Sequence, residues 1–204
     1  MIQSIRQLAA AQTLRFDEIP EARKVLLARI AAYIEDRYAR AEDIRLVFIC
    51  THNSRRSHFG QIAAALAAEY YAIDRVRVFS GGTEATAFHP NAIQALRHLG
   101  FSVESADATA KNPVWTVRFG EHAQTTCFSK VFNDPANPDK HFAAIMTCSD
   151  AEQNCPFVPG TELRIGTTYE DPKVSDGTPE QDATYQERFL QIAREMLYCF
   201  SLIQ

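Results

Sequence analysis

A cysteine and an arginine six positions apart form the segment with the clearest potential for chemistry. A loop of this length can wrap its backbone N–H groups around a tetrahedral anion, and a guanidinium can hold two of the anion's oxygens. The same positive field stabilises a cysteine as its nucleophilic thiolate. We therefore interpret Cys50 as a nucleophile and Arg56 as an oxyanion ligand. The predicted oxyanion loop consists of Thr51, His52, Asn53, Ser54, Arg55, Arg56 and Ser57.

A carboxyl group further along the chain is a candidate proton donor. A leaving oxygen needs a proton, and Asp171 is followed by Pro172, which would brace its loop. An Asp-Pro pair is more often a simple turn, and Asp134-Pro135 is a second example in this sequence. The position of Asp171 after the last predicted strand favours it as the general acid.

The five cysteines are an odd set, which argues against a disulfide scaffold. Cys148 and Cys155 lie seven positions apart in a polar stretch that follows a predicted strand, so they are candidates for redox chemistry. Cys127 and Cys199 are most simply structural. No second ligand pair at zinc spacing occurs, so we expect no metal site and no bound cofactor.

Composition and charge limit the other possibilities. A chain of 204 residues that is 46% hydrophobic fits one compact domain with an appended subdomain. The net charge of −4 argues against nucleic-acid binding. There is no apolar run near 18 residues and no secretory signal, so we expect no membrane association and a cytoplasmic location.

Strands that alternate with helices predict an α/β fold, a small four-stranded parallel sheet flanked by helices. Cys50 directly follows the first strand, at the edge where open α/β sheets bind ligands. Thr178 to Gln181 read as a capping box that starts the last helix. The predicted strands are 44–49, 75–80, 141–147 and 162–165, and the predicted helices between and after them are 57–72, 89–99 and the C-terminal segment.

Two segments lie outside this pattern. We predict an N-terminal helical extension over 1–43, with an amphipathic helix at 19–40, and a phosphate-binding domain over 44–204. Residues 112–132 predict an inserted β-hairpin. Its aromatic residues, Trp115 and Phe119, either cover the site or pack into the core, and the core is the favoured reading.

The oxyanion loop resembles that of a known family. Residues 50–57 are similar to the C-x5-R-S loop of low-molecular-weight protein tyrosine phosphatases and of thioredoxin-coupled arsenate reductases. Ser80-Gly81-Gly82-Thr83 and the helix start at His89-Pro90 resemble further segments of that family. The likeness implies that Asn53 and Ser57 shape the loop and hydrogen-bond the thiolate, and that Asp171 is the general acid.

The two-cysteine segment resembles the redox loop of the arsenate reductases. The resemblance implies a relay in which Cys50 forms an adduct with arsenate, Cys148 then forms a disulfide with Cys50, and Cys155 passes the disulfide on to thioredoxin. Lys173-Val174 also stands where the phosphatases tend to carry aromatic residues. The alternatives are a phosphotyrosine or aryl phosphatase, and a non-catalytic oxyanion sensor. Gly160 and the polar run 149–154 predict a mobile loop around the redox pair.

The sequence also departs from the family pattern. His52 stands where the loop usually has glycine, and Arg55 adds a second positive charge beside Arg56. His52 and His58 flank the loop and are expected to be solvent-exposed at the helix start. These departures leave the nucleophile intact and bear on which oxyanion is the substrate.

Overall fold

The computed structural model describes residues 1–154 and 157–203, which contain seven strands. Four of them form a parallel sheet in the order β2-β1-β6-β7, which confirms the predicted fold class. In chain order, the strands are β1 (Ile44–Cys50), β2 (Val76–Gly82), β3 (Ser102–Ser105), β4 (Trp115–Arg118), β5 (Gln124–Cys127), β6 (Phe142–Met146) and β7 (Thr161–Gly166).

Six α-helices accompany the strands in the same part of the chain. They are α1 (Gln3–Thr13), α2 (Glu21–Ala39), α3 (Arg56–Tyr70), α4 (Pro90–His98), α5 (Ser149–Asn154) and α6 (Gln181–Ser201). None of the helices in residues 1–154 and 157–203 combines the length and the apolar character needed to cross a bilayer.

Strand β1 is central and buried almost throughout, as its run of apolar residues requires. It pairs with β2 from Ile44 opposite Val76 to Cys50 opposite Gly82. On its other side, β1 pairs with β6, where Ile49 is opposite Met146. All four strands are parallel, so their carboxyl ends, and the loops that follow them, lie at one edge of the sheet.

The segment predicted as a hairpin forms part of a second sheet. Strands β4 and β5 pair in antiparallel fashion, with Trp115 opposite Cys127. The sequence analysis missed β3, which pairs with β4 and completes a three-stranded sheet. Strand β3 is only four residues long and carries Ser and Glu among its residues, so its apolar alternation is too short to stand out.

The N-terminal helices share the main hydrophobic core. Ile5 of α1 and Ile30 of α2 are fully buried in the same cluster as Phe189 of α6. The helix predicted at 19–40 is confirmed at Glu21–Ala39, with Pro20 in the N-cap position before it. The N-terminal segment therefore packs on the face of the sheet that α6 also covers.

Two local predictions are wrong. In the described residues the last helix begins at Gln181 with Glu180 at its N-cap and has no side-chain cap, because Thr178 lies two residues before the N-cap position. Residues 149–154 form helix α5 and not a polar loop. Helix α5 begins shortly after β6. Two acidic residues in its first turn stabilise it by interacting with the positive end of the helix dipole.

Candidate active site

The loop from Cys50 to Arg56 turns its carbonyl groups outward, where other segments bind them. Thr51 O accepts from the Glu84 N–H over 2.8 Å. His52 O accepts from two hydroxyls, those of Thr86 and Ser129, each over 3.1 Å. These bonds come from the segment after β2 and from the segment after β5, so two neighbouring loops hold the backbone in one orientation.

The backbone N–H groups of residues 51–55 are available to bind a ligand. None of the hydrogen bonds in the described residues takes its donor from these N–H groups. Asn53 adopts a positive φ of 44°, which asparagine tolerates better than most residues. His52 is not among the positive-φ residues, so the position where relatives carry glycine does not require one. Together with the N-terminus of α3, the loop forms a concave set of donors suited to an anion.

Gly82, at the end of β2, permits this loop geometry. A Cβ atom there would lie 2.6 Å from Thr51 O and 2.8 Å from the backbone nitrogen of Asn53. It would also lie 2.3 Å from Glu84 O. Gly82 thus has a physical reason, since the oxyanion loop and the segment after β2 approach each other too closely for a side chain at this position.

Two buried side chains, those of Asn53 and Ser57, prepare the Cys50 sulfur. Asn53 Nδ2 donates to Ser57 Oγ over 2.8 Å, and Asn53 Oδ1 accepts from the Lys130 N–H over 2.8 Å, which fixes the orientation of the amide. Because Ser57 Oγ already accepts from Asn53, its own proton is free for Cys50 Sγ at 3.1 Å. A hydroxyl that donates to sulfur stabilises the thiolate.

The Arg56 side chain links the loop to the candidate general acid. Its Nη2 donates to Asp171 Oδ2 over 2.6 Å, and its Nη1 donates to Tyr169 O over 2.9 Å. The Nε atom is buried and has no hydrogen-bond partner within residues 1–154 and 157–203. Asp171 also caps the short 3₁₀ turn Pro172–Ser175 by accepting from the Lys173 N–H. The loop after β7 thus places Asp171 beside the arginine.

The Arg55 side chain points away from the loop. Its Nε donates to the Tyr185 hydroxyl over 2.7 Å, and its Nη2 donates to Asp176 Oδ2 over 3.1 Å. Although burial raises the pKa of Asp176, hydrogen bonds from Tyr185 and Asn91 and the charge of Arg55 hold that pKa below its usual value. Arg55 therefore has only its backbone N–H directed at an anion in the loop, while its charge is neutralised by Asp176.

Cys148 lies beside the nucleophile's loop. Its Sγ is 3.5 Å from Thr51 Oγ1 and accepts from the Ala151 N–H over 3.3 Å, in the first turn of α5. Cys50 and Cys148 are both almost fully buried and belong to one apolar cluster. The ends of β1 and β6 therefore bring these two cysteines together. Cys155 lies outside the described residues.

The expectation that His58 is solvent-exposed is wrong, because its side chain is fully buried. Its Nδ1 lies 3.1 Å from Ser80 Oγ, and its ring stacks against Phe88. Burial, together with the positive charge of Lys130, lowers the pKa of His58 to about 3, so the ring is neutral at physiological pH. His52 is exposed as expected, and its ring lies 3.7 Å from Glu84.

The remaining candidates lie in the core. Cys127 and Cys199 are completely buried in the main cluster, and burial raises the pKa of the Cys127 thiol to about 12. Trp115 and Phe119 are also buried there, which supports the core interpretation. No cluster of three or more His, Cys, Asp or Glu side chains suited to a metal ion occurs in the part of the chain that the structure describes.

The amino-acid sequence is similar to those of known enzymes. The arsenate reductase of Bacillus subtilis strain 168 is 27% identical over 143 residues, which cover 70% of this chain and 84% of the relative. The sequence is therefore similar to that of bacterial arsenate reductases. No protein-family model matches the chain.

Two solved structures have a similar fold. A low-molecular-weight phosphotyrosine phosphatase from Vibrio cholerae O395 superposes with a TM-score of 0.50 at 14% identity, over 76% of this chain and 93% of the phosphatase. A mutant of YwlE from Bacillus subtilis superposes with a TM-score of 0.52 at 14% identity, over 78% of this chain and 97% of that protein. The fold is therefore that of the low-molecular-weight phosphatases.

Sequence reasoning missed two residues that shape the site. Lys130 binds Asn53 through its backbone, and Tyr169 binds Arg56 through its carbonyl. Main-chain contacts leave no signature in residue type, so neither residue stands out in the sequence. The proximity of Asp171 to Arg56 was inferred from the resemblance, and the structure shows the two side chains in contact.

Proposed function

We propose that this protein reduces arsenate to arsenite through a covalent adduct on Cys50 and a disulfide relay. The observation that carries the proposal is the position of Cys148, whose sulfur is 3.5 Å from the hydroxyl of Thr51, the residue after the nucleophile. Hydrolysis of a phosphoester needs one thiol, whereas a two-electron reduction needs a second thiol close to the first. The arsenate reductase of Bacillus subtilis is a sequence relative, which agrees with this assignment.

The first step forms a sulfur–arsenic bond. Arsenate binds to the N–H groups of the loop and to Arg56, and the Cys50 thiolate attacks the As(V) centre. An arsenic–oxygen bond breaks, and the departing oxygen leaves as water once it is protonated. Asp171 is the nearest described acid to Arg56 and supplies that proton. No electron transfer to arsenic has occurred at this stage.

The second step transfers the electrons. The Cys148 thiolate attacks Cys50 Sγ, a sulfur–sulfur bond forms, and the sulfur–arsenic bond breaks. The bonding pair stays on arsenic, which leaves as arsenite, As(III), while the two thiols are oxidised to a disulfide. Cys148 Sγ accepts the Ala151 N–H in the first turn of α5, and this bond holds the sulfur near the end of β6.

The third step regenerates the nucleophile. Cys155 attacks Cys148, so that Cys50 leaves as a thiolate and a Cys148–Cys155 disulfide remains. A dithiol reductant of the thioredoxin type then reduces this disulfide by two further exchanges. Cys155 enters this proposal from its place in the sequence and from the resemblance of that segment to the redox loop of the arsenate reductases.

A second candidate function is hydrolysis of a phosphomonoester. Cys50, Arg56 and Asp171 suffice for it, since the cysteinyl-phosphate needs only water for release. The superposition on the Vibrio cholerae phosphatase supports this chemistry on the same fold. The two functions share their first step and differ in whether Cys148 and Cys155 are needed.

The deciding experiment measures arsenate-dependent oxidation of NADPH in the presence of thioredoxin and thioredoxin reductase. The parent is compared with Cys148→Ser and Cys155→Ser, and hydrolysis of p-nitrophenyl phosphate is measured on the same samples. We expect both variants to lose arsenate turnover and to keep phosphoester hydrolysis. Cys127→Ala is the matched control, because it removes a buried thiol that takes no part in the proposed relay.

Each outcome selects one function. A parent that hydrolyses the aryl phosphate without reducing arsenate is a phosphatase. A parent that binds phosphate or sulfate but turns over neither substrate is an oxyanion sensor. Equal loss of both activities in Cys148→Ser would contradict the division of labour between Cys50 and Cys148.

A further inference from the structure

Tyr169 connects the oxyanion-binding arginine to the interior of the protein. Its backbone carbonyl accepts from Arg56 Nη1 over 2.9 Å, and its N–H donates to Thr147 O over 3.1 Å. Thr147 directly precedes Cys148. The main chain of Tyr169 therefore lies between the residue that would hold the anion and the strand end that carries the second thiol.

The side chain of Tyr169 is anchored by a buried ion pair. Its hydroxyl donates to Glu195 Oε2 over 2.7 Å, and Glu195 of α6 is only 3% exposed. Arg23 of α2 lies on the other side, with its guanidinium carbon 5.1 Å from the centre of the Tyr169 ring. Arg23 Nε is 3.7 Å from Glu195 Oε1.

Arg23 also binds the main chain of the same loop. Its Nη2 donates to Thr168 O over 2.7 Å, one residue before Tyr169. One arginine of the N-terminal segment thus contacts the ring of Tyr169, the carboxylate that holds the hydroxyl of Tyr169, and the peptide that precedes it. These contacts approach the tyrosine from its ring side, opposite the bond to Arg56.

The ion pair is needed because Glu195 is buried. Burial raises the pKa of Glu195, and the positive charge of Arg23 opposes that effect. A buried carboxylate without a partner is strongly destabilising, so removal of Arg23 alone would disturb the surroundings of Tyr169. The carbonyl of Tyr169 would move with its side chain, and a guanidinium fork that holds an anion depends on its orientation.

We propose that Arg23 is a positioning residue for Arg56, so that helix α2 of the N-terminal segment sets the affinity of the loop for its oxyanion. The effect passes from Arg23 to Tyr169 and from the Tyr169 carbonyl to the guanidinium of Arg56. The inference rests on the proposed function only in assuming that Arg56 binds the oxyanion. It assigns to the N-terminal helix a part in ligand binding.

The test is oxyanion binding by the full-length protein, measured by calorimetric titration with inorganic phosphate. The principal variant is Arg23→Gln combined with Glu195→Gln, which removes both charges and leaves no buried carboxylate unpaired. We expect its Kd for phosphate to rise roughly tenfold, as a misaligned guanidinium would produce. In the arsenate assay, KM should rise by a similar factor while kcat changes less, because the binding lost is common to ground and transition states.

Two single variants locate the effect. Tyr169→Phe removes the hydroxyl and keeps the ring under Arg23, so we expect a smaller rise in Kd. Glu195→Gln keeps a hydrogen-bond acceptor for Tyr169 and leaves Arg23 in place, so its Kd should stay near that of the parent. Arg29→Gln, on an exposed position of the same helix, is the control for a general effect of charge removal. Circular dichroism and thermal unfolding establish that each variant is folded at the assay temperature.

The outcomes separate this inference from the proposed function. A folded double variant that binds phosphate as tightly as the parent would overturn the inference. A parent that binds phosphate and fails to reduce arsenate would overturn the proposed function and leave the role of Arg23 standing. A parent that binds no oxyanion would overturn both.

Discussion

Arg56 Nη2 donates a hydrogen bond to Asp171 Oδ2 over 2.6 Å. The residue that would bind the oxyanion and the residue that would protonate its leaving group are therefore paired in the ligand-free protein. Two of the five guanidinium N–H groups bind Tyr169 O and Asp171 Oδ2, and Nε has no partner among the described residues, so an incoming anion meets this guanidinium beside the Asp171 carboxylate. The pairing places Asp171 next to the bound anion. It also makes the Asp171 carboxylate compete with the anion for Arg56.

The substitution Asp171→Asn tests both consequences. We expect hydrolysis of phenyl phosphate, whose leaving group needs a proton, to fall about 100-fold or more, and hydrolysis of 2,4-dinitrophenyl phosphate to fall far less. Phosphate should bind a few-fold more tightly, because a like charge has been removed. Asp134→Asn, in the other Asp-Pro pair, is the matched control. Equal losses with both esters would exclude Asp171 as the proton donor.

Ser57→Ala should slow the chemistry of Cys50. The hydroxyl of Ser57 donates to the sulfur at 3.1 Å, and a hydrogen bond to a charged acceptor contributes about 1.5–3 kcal/mol. We expect the rate of alkylation of Cys50 by iodoacetamide at pH 7 to fall roughly tenfold. The rate is measured by mass spectrometry of the peptide that contains Cys50. Ser54→Ala is the control, because that hydroxyl donates to Ala87 O and not to sulfur. An unchanged rate in Ser57→Ala would contradict the thiolate assignment.

Gly82→Ala should deform the oxyanion loop. The new Cβ would meet Thr51 O at 2.6 Å and Asn53 N at 2.8 Å, and both are backbone atoms that cannot rotate away. Overpacking of this kind destabilises by about 1–3 kcal/mol, and we expect phosphate binding to weaken at least about tenfold. Gly177→Ala provides the contrast. Among the described residues no atom would lie within 4 Å of the new Cβ, whereas the φ of 76° is unfavourable for alanine. That variant should lose stability in urea unfolding and keep its affinity for phosphate.

Stability should fall with pH below about 6.5 because of His58. The buried ring has a pKa of about 3 in the folded protein and an ordinary value of 6.5 when unfolded. As pH falls from about 6.5 towards 3, the imidazole of His58 takes up a proton in the unfolded chain but not in the folded protein, so unfolding becomes more favourable. Between pH 7.5 and pH 5, the loss is about 2 kcal/mol.

Urea unfolding at the two pH values measures this effect. His58→Asn keeps a nitrogen for the bond to Ser80 and removes the titration, so this part of the pH dependence should disappear. His98→Asn, an exposed position on α4, should leave it unchanged. A parent and a His58→Asn variant with the same dependence on pH would show that His58 is not excluded from protonation.

The sequence by itself determined the elements that local pattern encodes. The apolar run before Cys50 fixed β1, and the spacing of Cys50 and Arg56 at a strand-to-helix junction fixed the loop, because both depend on neighbouring residues. Short or weakly patterned elements could not be predicted, such as the four-residue strand β3. The capping box predicted at Thr178 is also wrong, because Thr178 closes a local turn on Ser175 O and the helix begins only at Gln181.

Tertiary structure decided which distant residues meet at the loop. The parallel sheet brings the ends of β1, β6 and β7 to one edge, and this places Cys148 beside Thr51 and Asp171 against Arg56. The burial of His58 and the reach of Arg23 to Tyr169 follow from packing between elements far apart in sequence. Such contacts depend on the paths of several elements at once, and no spacing within a single segment encodes them.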